Sequence, residues 1–243
     1  MSDSRPMAAR ETAYLGSQAQ DYDARRFARP QGRVIGEMEA GQLMAVLNRL
    51  DAGSSVLEVG VGTGRFVALA LAQGHACSGI DASPDMLEQT RAKLANEGSL
   101  RLECAEAAVL PFEDNRFDCV YSIRVMNQTE SADYALRAVR EMYRVVRPGG
   151  WLLVEFVNSR RLTAPGNHRR NVRLSHDQVE AALAGARLAC RSGCFLFGMT
   201  AFNRCPAVLL AALSRLDRAF SRAFPRLCAR GYVAVRKPQD SAA

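Results

Sequence analysis

Residues 56–64 read Val56-Leu57-Glu58-Val59-Gly60-Val61-Gly62-Thr63-Gly64. The aliphatic run suits a short buried strand. The alternating glycines suit a tight turn, because glycine admits positive φ and lets the backbone approach a ligand with no Cβ between them. A helical stretch over 65–73 follows and is closed by Gly74. Strand, glycine turn and helix open a βαβ unit, and such sheets bind ligands outside the carboxyl ends of their strands. The spacing excludes two ligand classes. A dinucleotide fingerprint needs Gly-x-Gly-x-x-Gly, which fails in both registers; counted from Gly60, Arg65 stands in the last place. The lysine of a phosphate-binding loop is also absent. An acid in the turn, Glu58, repels pyrophosphate and favours a ligand with an ammonium or sulfonium group.

Outward from this stretch the pattern repeats. Residues 37–50 carry Met38, Leu43, Met44 and Leu47 at helical spacing, and Gly53 ends that helix. A second strand, 76–80, ends at Asp81. Ser83 and Pro84 are N-cap and first residue of a helix running to about Glu97. Strands follow at 100–104 and 117–123. Residues 132–146 form an amphipathic helix with Leu136, Val139, Tyr143 and Val146 on one face, stopped by Pro148-Gly149-Gly150, and 151–157 is a nearly all-apolar fifth strand. After it come a basic loop (158–173), a helix over 175–185 with His75 the one histidine left far upstream in an exposed turn, a strand over 188–197, a helix over 206–224 and a last strand over 232–235. Alternation at this spacing predicts an α/β fold: a Rossmann-like, doubly wound, mostly parallel sheet of about seven strands. The last two strands are expected to add antiparallel at one edge. The expected organisation is an N-terminal tail and cap (1–36) and one domain (37–243) with a cofactor-binding half (37–157) and an acceptor-side half (158–243).

The chain has 243 residues, enough to bury a full core without staples. Seven cysteines without a CxxC pair point to free thiols, not to a disulfide framework or zinc site. With no secretory pattern near Met1 and no apolar run long enough to span a bilayer, a cytoplasmic protein is expected. The net charge of +7 is uneven: residues 1–157 hold 17 Lys and Arg against 21 Asp and Glu, whereas 158–243 hold 15 against 4.

The acid-x-Gly-x-Gly-x-Gly spacing, Asp81 at the end of the second strand, Ala105-Glu106 after the third, Leu110-Pro111-Phe112 with Phe117-Asp118-Cys119-Val120, and Glu141 to Gly150 together resemble the class I S-adenosylmethionine-dependent methyltransferases, most of all the ubiquinone-biosynthesis type of small-molecule enzyme. The resemblance covers roughly Tyr22 to Val157. It implies S-adenosyl-L-methionine as cofactor. Gly60, Gly62 and Gly64 would lie under its amino-acid moiety, helped by the charge of Glu58. Asp81 would hold the ribose hydroxyls, Ala105 and Glu106 the adenine side, and Tyr22 and Arg26 would close over the cofactor. The acceptor implied is a small, apolar or lipid-like molecule methylated at oxygen or carbon. An RNA or protein methyltransferase and a non-catalytic S-adenosylmethionine-binding regulator are the alternatives.

In-line methyl transfer draws much of its rate from positioning, and a base is needed only where the acceptor must lose a proton first. His168 and His176, beyond the fifth strand, are candidate bases. Arg124, with Asn127 and Gln128, follows the fourth strand on the side that the fold turns toward the transferred methyl group. No metal-ligand spacing occurs, so no metal is expected. In the basic C-terminal part, Leu213, Leu216, Phe220 and Phe224 recur at helical steps, and Arg215, Arg218, Arg222 and Arg226 recur on the opposite side. The plain expectation packs the apolar stripe inward and leaves the arginines in water. The sharper one is peripheral contact with an anionic membrane. Nucleic acid is disfavoured, since no aromatics interleave the arginines for base stacking.

Overall fold

Strand β1 (Ser55–Val59) sends its side chains alternately to two faces of a sheet, and each face is covered. On one face Val56 packs with α1 (Pro30–Leu47) and α2 (Val67–Ala72), through Leu43, Leu47, Val67 and Leu71. On the other, Leu57 and Val59 pack with α4 (Ala132–Val145), through Val139, Met142 and Val145. The computed structural model describes residues 28–163, 172–183 and 185–239.

The remaining elements are β2 (Ala76–Asp81), α3 (Pro84–Lys93), β3 (Leu100–Cys104), β4 (Phe117–Ser122), β5 (Val146–Val157), α5 (His176–Ala182), β6 (Arg187–Cys194), α6 (Gly198–Arg204), α7 (Leu210–Ala223) and β7 (Arg230–Arg236). They form a seven-stranded sheet in the order β3-β2-β1-β4-β5-β7-β6. The first five strands run parallel, and β7 inserts antiparallel between β5 and β6. The chain reverses its winding between β1 and β4, which opens a crevice at their carboxyl ends. The sheet is thus doubly wound and mostly parallel, as expected.

Several boundaries differ from the sequence expectation. α1 starts at Pro30, not at residue 37, because Pro30 pre-sets the first turn and Ile35 extends the buried stripe backwards. The helix therefore runs through residue 36, where the N-terminal cap was expected to end. On α4 the buried stripe is Ala135, Ala138, Val139, Met142 and Val145, with the expected Leu136 and Tyr143 at its margin. β5 begins directly at Val146, so Pro148-Gly149-Gly150 lies inside a strand as an irregularity, not before one. β6 ends at Cys194 because Phe195 turns the chain at φ 64°. His75 is buried, not exposed, and its amide folds back onto the Ala70 carbonyl at 3.2 Å, which draws the turn before β2 against the end of α2.

The largest correction concerns α7. Its buried stripe is Leu210, Ser214, Asp217 and Ser221, while Leu216 and Phe220 are exposed. The reason lies in the turn after β6, whose amides need acceptors. Asp217 is fully buried and accepts from Phe195 N at 2.8 Å and Phe197 N at 3.2 Å, and Ser221 donates to it at 3.2 Å. A helix docked by short polar side chains leaves its larger apolar ones outside. Asp217→Ala should therefore destabilise the protein by about 2–4 kcal/mol in urea unfolding, because two backbone amides lose their acceptor. Leu216→Ser, by contrast, should change stability by less than about 0.5 kcal/mol.

Candidate functional site

The β1–α2 turn sits at the switch point. Gly60 and Val61 both donate to the Ile80 carbonyl at 2.8 Å, tying the turn to β2. Gly60 has φ 80°, and a Cβ there would lie 2.1 Å from Val125 Cγ2, so no other residue fits. Gly62 has φ 55° and a Cβ there would meet nothing, so the turn faces open space at this point. Its amide donates to Asp81 Oδ2 at 2.9 Å, and its carbonyl accepts from Thr90 Oγ1 at 2.6 Å. Gly64 (φ 76°) approaches Thr90 from the other side.

Asp81 also accepts from Ser83 N at 2.9 Å, so one carboxylate clamps the turn to the first residues leading into α3. Burial pushes its pKa up, against the pull of three backbone amides. The Ala105 amide donates to the Asp81 carbonyl at 3.2 Å, which brings Ala105 and Glu106 to the same end of the sheet. Glu106 is exposed and accepts from the Tyr134 hydroxyl. Asp81, Glu106 and the glycine turn are thus gathered into one rim.

Glu58 behaves differently. It is 1% exposed and faces the protein interior beside β4, where its register partner Tyr121 donates to it at 3.1 Å. Burial pushes its pKa up to about 8, although Tyr121, Arg65 and the Val67 amide pull it down. The carboxyl is thus buried between Tyr121 of β4 and the Val67 amide at the start of α2.

Arg124 follows β4 with φ 69°, a conformation that side chains other than glycine rarely adopt. Its amide donates to Glu155 Oε2 at 2.6 Å, and its guanidinium pairs with the buried Glu39. Glu39 also holds Arg65 at 2.8 Å. Glu155 pairs with the buried Arg230 at 2.7 Å, and Arg230 reaches Asn127 Oδ1 at 3.3 Å. Gln128 donates to the Arg124 carbonyl at 2.6 Å. Arg124, Asn127 and Gln128 are therefore brought together beside the turn, in a charged network whose other members, Glu39, Glu155 and Arg230, sequence reasoning missed. One signal for them existed: Glu155 is the single charge in the apolar stretch 151–157.

His176 does not join this group. It lies buried at the start of α5, edge-on to Phe156 at 5.0 Å and against the backbone at Gly231. Burial lowers its pKa below the usual imidazole value. Tyr22, Arg26 and His168 lie outside the described residues.

A family model described as a methyltransferase domain matches residues 57–154, which span the turn, Asp81, Glu106 and Arg124. This stretch is similar to methyltransferase domains. Methyltransferase GfsG of Streptomyces halstedii is 37% identical over 124 residues, covering 48% of this chain and 44% of that protein. The ubiquinone/menaquinone biosynthesis C-methyltransferase of Marinomonas sp. is 37% identical over 111 residues, covering 42% of each. The chain thus spans less than half the length of these curated relatives. Among solved structures, phosphoethanolamine N-methyltransferase 2 of Haemonchus contortus, in complex with S-adenosyl-L-methionine, superposes with TM-score 0.68 at 17% identity, covering 96% of this chain and 61% of that one. The N-methyltransferase NodS of Bradyrhizobium japonicum, in complex with S-adenosyl-L-homocysteine, gives 0.63 at 17%, covering 88% and 91%. The matched stretch and its flanks therefore share the fold of these methyltransferases.

The buried acid of the domain makes a testable statement. Glu58 loses its proton near 4.5 when unfolded and near 8 when folded. Between those values the folded state binds more protons, so this group makes stability fall as pH rises through the window. Urea unfolding of Glu58→Gln should show a shallower decline than the wild type from pH 5 to 8, with the variant's advantage largest at the alkaline end.

Proposed function

We propose that the protein transfers the methyl group of S-adenosylmethionine to a small, apolar or lipid-like acceptor, at oxygen or carbon. The observation that carries this reading is the rim at the switch point: a glycine turn open at Gly62, with Asp81 beneath it and Glu106 on the neighbouring strand end. The residues fit a cationic nucleoside. The absent side chain at Gly62 leaves room above the turn, two carboxylates stand within the rim, and no lysine or arginine is contributed by the turn up to Gly64. S-adenosylmethionine supplies a sulfonium-activated methyl carbon. In this reading Gly60, Gly62 and Gly64 admit the amino-acid end, Asp81 accepts from the ribose hydroxyls, and Ala105 and Glu106 border the base.

The acceptor side is formed by Arg124, Asn127 and Gln128. Their positions are held by Glu39, Glu155 and Arg230, so the backbone leaving β4 is rigid where alignment matters. Rate then comes chiefly from presenting the acceptor atom in line with the methyl carbon. The bound cofactor would supply its methyl carbon to the acceptor atom and keep its sulfur as the leaving group, and an acidic acceptor would give up its proton beforehand or to solvent. Matched relatives named as C-methyltransferases of ubiquinone and menaquinone biosynthesis support carbon as the nucleophile and a ring-bearing, lipid-like acceptor.

Calorimetry tests the cofactor. S-adenosylmethionine should bind the wild type, and Asp81→Ala should weaken it by roughly tenfold to a hundredfold, the worth of losing charge-assisted hydrogen bonds of about 1.5–3 kcal/mol. Asp81→Asn, which keeps the side-chain volume, controls for collapse of the turn. Binding of NAD in place of S-adenosylmethionine would sink the reading. Transfer of methyl label into fractionated lipid, metabolite, RNA and protein extracts tests the acceptor: label in the lipid or metabolite fraction supports it, and label confined to RNA or protein, or none at all, refutes it.

A further inference from the structure

Helix α7 turns its polar stripe inward, and the large side chains it leaves in water are unusual in kind and in number. Nine large apolar residues are exposed among the described residues, and seven of them fall between Phe197 and Leu227. Val208 is 87% exposed, and Leu209, Leu216, Phe220 and Phe224 are each about half exposed. Phe197 and Phe220 meet edge-to-face at 6.0 Å and extend the patch from the β6 turn onto the helix. Single exposed apolar residues are ordinary, but a contiguous group of this size marks a contact surface.

The charge beside the patch says what it contacts. Between residues 193 and 236 the only acid is Asp217, and it is buried. Arg204, Arg215, Arg218 and Arg222 are exposed, and none makes an ion pair with a carboxylate among the described residues. Around α7, Leu216 and Phe220 flank the buried stripe on one side and Arg218 and Arg222 on the other, with Ala219 outermost. A second copy docked antiparallel across the outer face of α7 would set arginine against arginine, which is unfavourable. Aliphatic side chains such as Val208, Leu209 and Leu216 gain nothing from stacking on bases. A bilayer surface with anionic headgroups satisfies both halves, because apolar side chains enter the acyl boundary while long arginine side chains reach the phosphates. No described helix is long and apolar enough to cross a membrane, so contact of this kind is peripheral.

We propose that the segment from Phe197 to Leu227, with α7 at its centre, docks the protein on an anionic membrane surface. The proposal does not depend on methyl transfer, and it is measured without cofactor. The full chain is sedimented with vesicles of phosphatidylcholine, with and without an equal part of phosphatidylglycerol. The expected result is pelleting with the mixed vesicles that weakens as salt rises. The double variant Leu216→Asp/Phe220→Asp and the triple variant Arg215→Glu/Arg218→Glu/Arg222→Glu should each reduce partitioning by about tenfold or more. All five positions are exposed, and an unchanged thermal midpoint verifies the fold of each variant. Three outcomes overturn the proposal: a wild type that ignores mixed vesicles at low salt, variants that pellet like the wild type, or a wild-type dimer that Phe220→Asp splits while vesicles are ignored. A fourth, retention of single-stranded RNA in place of vesicles, overturns it equally.

Discussion

The close approach of Gly60 to Val125 sets the geometry on which the rest of the site depends. One turn leaves β1 and the other leaves β4, and there is room between them for a hydrogen but not for a methyl group. Because the two strands are neighbours at the point where the winding reverses, this contact brings the end of the glycine turn against the start of the segment holding Arg124 and Asn127. Any side chain at Gly60 would push the two apart and separate the proposed cofactor and acceptor sides. The hydrogen bonds from Gly60 and Val61 to Ile80 then fix the turn against β2, and through β2 against Asp81.

Buried charge follows a consistent plan around this contact. Burying an ion is costly unless it is paired, and removing one partner is costlier still. Glu39 answers both Arg65 and Arg124, and Glu155 answers Arg230 and the Arg124 amide. The unusual backbone at Arg124 is therefore held from two sides, by α1 through Glu39 and by β5 through Glu155. Glu58 is the exception: the Tyr121 hydroxyl, the Val67 amide and the charge of Arg65 all favour its ionised form, yet burial outweighs them and pushes its pKa up to about 8. Its carboxyl lies buried beside β4 and not in water. The carboxylates that stay at the rim are Asp81 and Glu106.

Helix α7 illustrates how a local demand overrides an amphipathic pattern. Its sequence has an apolar stripe and a basic stripe, and burying the apolar one would remove the most surface from water. The turn at Phe195 presents amides that must be satisfied, and Asp217 on α7 is the acid that meets them. Small serines on the same stripe permit the close docking. What the protein interior does not use remains outside, as a surface with its own chemistry.

The sequence by itself determined the doubly wound sheet, because strand, turn and helix signals are local and each glycine, cap and apolar run acts within a few residues. It also determined that Gly60, Gly62, Gly64, Asp81 and Glu106 lie together, since all follow strand ends on one side of a parallel sheet. Only the tertiary structure decided the rest. Glu39, Glu155 and Arg230 are far apart in the chain and became partners through the order β4-β5-β7 and the packing of α1. The burial of His75 and His176 and the inverted face of α7 likewise depend on what lies across from each side chain. Periodicity specifies which residues share a face, but the neighbour that needs a hydrogen bond specifies which face turns inward.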